Sequence, residues 1–249
     1  MKKHIPNLLT SLNLFSGCVS ILLAFRGNLP LAAGFVILSA LLDFSDGLAA
    51  RLLNAYSAIG KELDSLADVV SFGVAPSAVL YQLVIQHFTQ FHPGFEAAHP
   101  SASQWIMLLI PFLIPVFSAL RLAKFNLDER QTTHFIGLPT PANALFFLSL
   151  VFWEMDSPAG KILLHPASLS ILTLLFCFLL VSSLPMFSLK THSLRWSENR
   201  ERWILGILSL FLLAWLGIRG LTFVIPLYLL ISLILSFRPS IHAAHENRK

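Results

Sequence analysis

The sequence predicts an all-α fold, a polytopic integral membrane bundle of about eight transmembrane helices, and three observations predict it. Hydrophobic residues make up 55% of the 249-residue chain and charged ones 12%, a balance far from that of a soluble domain. The mean hydropathy is +0.72. Finally, the apolar residues gather into eight stretches, most of them near the length of about 20 residues that spans a bilayer.

The stretches fall near 6–25, 30–52, 64–86, 104–124, 138–155, 167–187, 202–217 and 220–237. The first follows Lys2 and Lys3, and its Phe15-Ser16-Gly17-Cys18 loosely resembles a lipoprotein cleavage box. Pro6, Asn7 and Asn13 interrupt the apolar run that such a signal needs, so the stretch reads as a retained span. The second and third spans flank an acidic run described below. The segment from about 87 to 103 is the longest loop on the side away from that run and carries His87, His92 and His99 with Pro93 and Pro100. His87 and His92 miss the i, i+4 step and no ligand count emerges, so a solvated loop is expected rather than a metal site.

Pro139 and Pro141 suit the first turn of the fifth span, where a missing N–H costs nothing, or a loop that shapes a substrate. Cys18 and Cys177 are isolated in apolar segments, and both read as small buried hydrophobes. The last two spans form a short hairpin. The expected organisation is one membrane domain over 1–190, then a C-terminal transmembrane hairpin and cytoplasmic tail over 191–249. No repeat, low-complexity tract or second globular domain is visible.

A net charge of +4 and a pI near 9.3 raise the question of nucleic acid, but no basic stripe is interleaved with stacking aromatics. Bilayer orientation explains the basic residues better. With a cytoplasmic N-terminus, 14 of the 17 Lys and Arg fall inside and only Arg26, Lys161 and Arg219 outside. Both termini are then cytoplasmic, and the end of the second span and start of the third open toward the same face.

That region holds Asp43, Asp46, Asp64 and Asp68, where acidic groups beside apolar helices are costly and mark a functional site. Asp43 and Asp46 are three apart and share a helix face; Asp64 and Asp68 are four apart and share another. Two facing helices can therefore gather four carboxylates, which repel unless cations neutralise them. Oxygen-only ligands favour hard divalent ions, Mg²⁺ or Mn²⁺, and a two-metal centre that clamps a phosphoryl group follows naturally. Ion pairing to Arg51 and Lys61 leaves too many acids unpaired, with Glu62 adding to them. A transporter's cation site remains open on charge alone.

The spacing Asp43-x2-Asp46-Gly47-x2-Ala50-Arg51-x8-Gly60-x3-Asp64-x3-Asp68 resembles the signature of the CDP-alcohol phosphatidyltransferases, with all eight defining positions filled over 26 residues. The resemblance implies a membrane enzyme with a six-helix core, often a homodimer, that uses divalent metal to move a phosphatidyl group from a CDP-linked lipid to an alcohol and release CMP. By the same resemblance Asp43, Asp46 and Asp64 are metal ligands, and Asp68 completes the cluster and acts as general base. Gly47, Ala50 and Arg51 line the cytidine diphosphate pocket, and Gly60 allows close helix contact.

The runs IPNLLTSLNLFSG from Ile5, RLAKFN from Arg121, FIGLPTPAN from Phe135 and LPMFSLK from Leu184 look like the phosphatidylserine synthase branch. CDP-diacylglycerol and L-serine are then the expected substrates, with glycerol 3-phosphate or inositol as alternative acceptors. Asn7, Thr10 and Asn13, at three-residue steps on one side of the first span, either bond to a neighbouring helix or face the nucleotide pocket. Arg121 and Lys124 either snorkel to headgroups or, with Asn126, hold the acceptor or a phosphate. No match extends past Thr191. The expected location is a bacterial inner membrane with the site facing the cytoplasm.

Overall fold

A computed structural model describes residues 4–127, 135–186 and 199–236. It consists of helices that pack side by side: α1 (His4–Phe25), α2 (Leu29–Leu52), α3 (Ala58–Asp68), α4 (Ala75–Phe91), α5 (Ala102–Leu109), α6 (Leu113–Leu127), α7 (Thr140–Ser149), α8 (Pro158–Leu163), α9 (Pro166–Val181), α10 (Arg200–Leu216) and α11 (Leu221–Ser236). A two-residue antiparallel ladder pairs β1 (Phe135–Ile136) with β2 (Pro185–Met186). The boundary expected at residue 190 lies outside the described residues, as do Lys190 and most of the LPMFSLK run.

All eight expected spans are helical, and the differences lie at their ends. The third is much longer than 64–86: α3, a π-helical turn over Val69–Val74 and α4 make one continuous helix over Ala58–Phe91. α5 and α6 join through a 3-10 turn at Ile110–Phe112 into the fourth span. The fifth and sixth are short, Thr140–Phe152 and Pro166–Val181. The apolar stretch over Arg200–Leu235 does not cross as one rod. Gly217, at φ +60°, breaks it, and α11 folds back so that Ile234 and Leu235 lie beside Arg200 and Ile204.

The buried stripe of α1 is small and polar, not greasy: Pro6, Thr10, Asn13, Ser16, Gly17, Ser20 and Ala24. Its large apolar residues, Leu8, Leu12, Phe15, Leu22 and Phe25 among them, are exposed. Lipid tails are as apolar as leucine, so helices in a bilayer are joined by close packing and hydrogen bonds. Here Ser16 Oγ donates to Phe35 O at 2.7 Å, Ser20 Oγ to Ala32 O at 2.8 Å, and Ser39 Oγ back to Asn13 O at 3.1 Å. α1 and α2 are thus stitched along their length.

The π turn is held from two sides. A Cβ on Gly17 of α1 would lie 2.9 Å from Ser71 Cα, and one on Gly73 would lie 2.9 Å from Pro115 Cα of α6, so neither position has room for a side chain. Ser71 Oγ adds a bond to Asn13 O at 3.1 Å. Such turns insert one residue into a helix and often sit at functional sites. This one begins directly after Asp68.

Two expectations are corrected. Cys18 is exposed on α1 and only Cys177 is buried, because helix rotation turns Cys18 outward beside the buried Gly17. His87 does not lie in a solvated loop. It is buried near the end of α4, its ring 5.2 Å from that of His165, which precedes α9, and 6.0 Å from that of His92. The helix runs to Phe91, five residues past the expected end, and carries His87 into the packing. At this same end the C-terminal hairpin docks on α7: Ser149 and Thr222 hydroxyls meet at 2.7 Å, Trp153 Nε1 donates to Thr222 at 3.0 Å, and Arg219 pairs with Glu154 at 3.1 Å.

Candidate active site

Positions 53–57 join the two helices that carry the aspartates, and their geometry is built into the residues. Asn54 takes φ +48°, a left-handed conformation that asparagine tolerates, and ends α2 sharply. Ser57 then caps α3, its hydroxyl accepting from Gly60 N at 3.0 Å. The turn folds α3 beside the site end of α1. A Cβ on Gly60 would lie 3.0 Å from Asn7 Oδ1, so this glycine lets α3 approach α1 closely.

The fold brings carboxylate oxygens of Asp43, Asp64 and Asp68 within 4.8 Å of one another. Asp68 is buried, and Asp43 and Asp64 are half-buried. Asp68 Oδ2 faces the Thr140 hydroxyl at 3.5 Å, while its Oδ1 is buried with no partner. Asp46 lies one turn along α2 from Asp43, near enough for its charge to act on Asp43 and Asp64, but it is anchored elsewhere. Its Oδ2 accepts from Thr10 Oγ1 at 2.5 Å, and both residues are buried. Three of the four aspartates therefore form the cluster, and the fourth borders it.

Among the described residues no Lys or Arg pairs with these four acids. A set of buried and half-buried carboxylates with no cationic partner is costly, whereas a hard divalent cation with oxygen ligands fits such a donor set. Beside the cluster lies a cleft of about 220 Å³ lined by residues that include Asn7, Thr10, Asp46, Gly47, Ala50 and Gly60. A Cβ on Gly47 would meet only Arg51 Nη2 at 3.8 Å, which leaves this wall open. Arg51, expected to line the pocket, is exposed and not part of the cleft lining; its Nε donates to Gly47 O at 3.1 Å.

Arg121 of α6 is 8% exposed, its guanidinium 5.8 Å from the Phe125 ring and within electrostatic reach of Asp68. Lys124 is exposed. Asn126 clasps α6 to α3: its Nδ2 donates to Ser65 Oγ at 2.9 Å and its carbonyl accepts from Lys61 Nζ at 3.2 Å. Asn13 does not reach the cleft lining; its side chain is fully buried without a partner. Sequence reasoning missed Thr140 beside Asp68 and Tyr56 at the cleft, and weighed Lys61 only as an ion-pair partner of the acids. Lys61 carried a signal, a lone cation one residue after Gly60, but Thr140 did not, since its neighbouring prolines explained the run as a helix start.

Comparison with known proteins identifies relatives of the chain. The chain is 32% identical over 202 residues to the CDP-diacylglycerol--serine O-phosphatidyltransferase of Bacillus subtilis, covering 80% of this chain and 98% of that one. It is 37% identical over 151 residues to the enzyme of the same name from Helicobacter pylori, covering 60% and 57%. An archaetidylserine synthase from Methanothermobacter thermautotrophicus is 33% identical over 159 residues, covering 61% of each. The model of the CDP-alcohol phosphatidyltransferases matches residues 3–230, past Thr191 where the sequence resemblance is expected to stop, and the chain belongs to that family of membrane transferases.

Proposed function

We propose that this protein transfers the phosphatidyl group of CDP-diacylglycerol to the hydroxyl of L-serine, giving phosphatidylserine and CMP, at a divalent-metal centre that faces the cytoplasm. The observation that carries the reading is the convergence of Asp43, Asp64 and Asp68 beside a cleft, in a chain similar to serine O-phosphatidyltransferases. The excess of Lys and Arg on the same side, 14 of 17, supports the cytoplasmic orientation.

The cleft walls at Asn7, Thr10, Gly47, Ala50 and Gly60 hold the cytidine diphosphate, and Arg51, beside Gly47, offers its donors to a phosphate. The diacyl tails remain in the bilayer. Asp43, Asp64 and Asp68, with Asp46 adjoining, would hold two Mg²⁺ or Mn²⁺ ions, which when bound neutralise phosphate charge and polarise the phosphoryl oxygens. Thr140 restrains one oxygen of Asp68 and leaves the other open to take the proton of the serine hydroxyl. The new bond joins the serine oxygen to the lipid-side phosphorus, the bond from that phosphorus to the bridging oxygen breaks, and CMP departs. Arg121, buried near Asp68, pairs with the serine carboxylate.

The test supplies purified protein in detergent with CDP-diacylglycerol and Mg²⁺ or Mn²⁺, and follows CMP release with L-serine, glycerol 3-phosphate or inositol. Serine-dependent release is expected. Release with another alcohol and none with serine would overturn the acceptor assignment, and cation flux in liposomes without CMP release would point to a transporter.

A further inference from the structure

Two asparagines, Asn13 of α1 and Asn143 of α7, are fully buried with no partner on either amide atom, and Asn143 is the one that shares a helix face with Thr140. Buried side-chain amides are nearly always hydrogen-bonded, so a doubly orphaned one points to something that binds it. Asn143 lies three residues after Thr140, on the same side of α7, and Thr140 faces Asp68. α7 also packs against the π turn that follows Asp68. Two further orphaned atoms, Asp68 Oδ1 and Arg121 Nε, belong to the same region, each on a side chain about nine-tenths buried.

These atoms differ in chemistry in a way that matches one ligand. The aspartate oxygen suits a hydroxyl proton, the guanidinium suits a carboxylate, and the carboxamide oxygen suits an ammonium. We propose that Asn143 is a specificity-determining residue for the acceptor, its Oδ1 taking the ammonium of serine while Arg121 takes the carboxylate, so that the hydroxyl is presented to Asp68. This rests on serine being the acceptor. Glycerol 3-phosphate and inositol have no ammonium, so the amide oxygen gains nothing from either. A site built to bond a polar group discriminates strongly against acceptors that lack it.

The experiment compares wild type with Asn143→Leu, which keeps the size and removes the polar atoms, Asn143→Ser, which restores an acceptor oxygen, and Asn143→Ala. In detergent with CDP-diacylglycerol and divalent metal, KM for serine and KM for the donor are measured separately, together with thermal unfolding. Asn143→Leu and Asn143→Ala are expected to raise the serine KM at least tenfold, about the worth of one hydrogen bond to a charged group, with the donor KM within about threefold. Asn143→Ser should recover part of the loss. Equal rises in both KM values, a fall in kcat alone, or loss of folding in all three variants would mark a packing residue and overturn the proposal. An unchanged serine KM in Asn143→Leu would do the same. If wild type instead uses another alcohol and not serine, the acceptor assignment itself fails, which the wild-type arm reads independently of any variant.

Discussion

Thr10→Val tests the link between α1 and the acidic cluster. The Thr10 hydroxyl donates to Asp46 Oδ2 at 2.5 Å, and it also reaches Pro6 O at 3.0 Å in its own helix. Both partners are buried, 3% and 7% exposed, so water does not readily replace the lost donor. Valine has nearly the same shape and leaves the packing of α1 on α2 intact. A hydrogen bond to a charged group contributes about 1.5–3 kcal/mol, and about 1.4 kcal/mol is a factor of ten in an equilibrium constant. If holding Asp46 at the cleft wall is what the bond does, Thr10→Val weakens CDP-diacylglycerol binding by at most about 10- to 150-fold. Thr10→Ser, which keeps the hydroxyl, should stay near wild type. The assay is the donor KM in detergent at saturating serine and metal, with Mn²⁺ binding followed by electron paramagnetic resonance. A donor KM in Thr10→Val within about threefold of wild type would refute the reasoning, because the bond would then serve helix association alone.

Asp68→Asn should lower kcat for serine-dependent CMP release by about 10²- to 10⁴-fold while donor binding survives, as expected of a general base. Asp43→Asn and Asp64→Asn should instead lose Mn²⁺ affinity and donor affinity together, and intact Mn²⁺ binding in both would count against the metal centre. Gly73→Ala forces a Cβ to 2.9 Å from the Pro115 backbone, and such overpacking typically costs about 1–3 kcal/mol, to be read as a lower unfolding midpoint in detergent. In a background lacking Cys18 and Cys177, a cysteine at Lys61 should be labelled from the cytoplasm and one at Lys161 from the opposite side; the reverse pattern would invert the proposed orientation.

The spans and the acidic spacing were legible for different physical reasons. A bilayer imposes a helix length and an apolar composition, so hydropathy alone located all eight segments, and their errors fell at the ends, where α3 and α4 extend over Ala58–Phe91. Helical geometry alone put Asp43 with Asp46 and Asp64 with Asp68 on shared faces. Hydropathy is silent on rotation: lipid and protein interior are equally apolar, so nothing in the composition of α1 said that Cys18 faces outward and Ser16 inward. The placing of His87 against His165 depends on helices distant in sequence, and so does that of Thr140 against Asp68.

By itself, then, the sequence determined a polytopic helical membrane protein, its family and the four aspartates, because each is written in local spacing. The tertiary structure decided which three carboxylates converge, that neighbours close on the π turn after Asp68 at Gly17 and Gly73, and that Thr10 anchors Asp46 apart from the three. Those outcomes follow from how far each helix is turned about its axis and where a neighbour comes close enough to touch. Only packing fixes these in a bilayer, where apolar character no longer separates inside from outside.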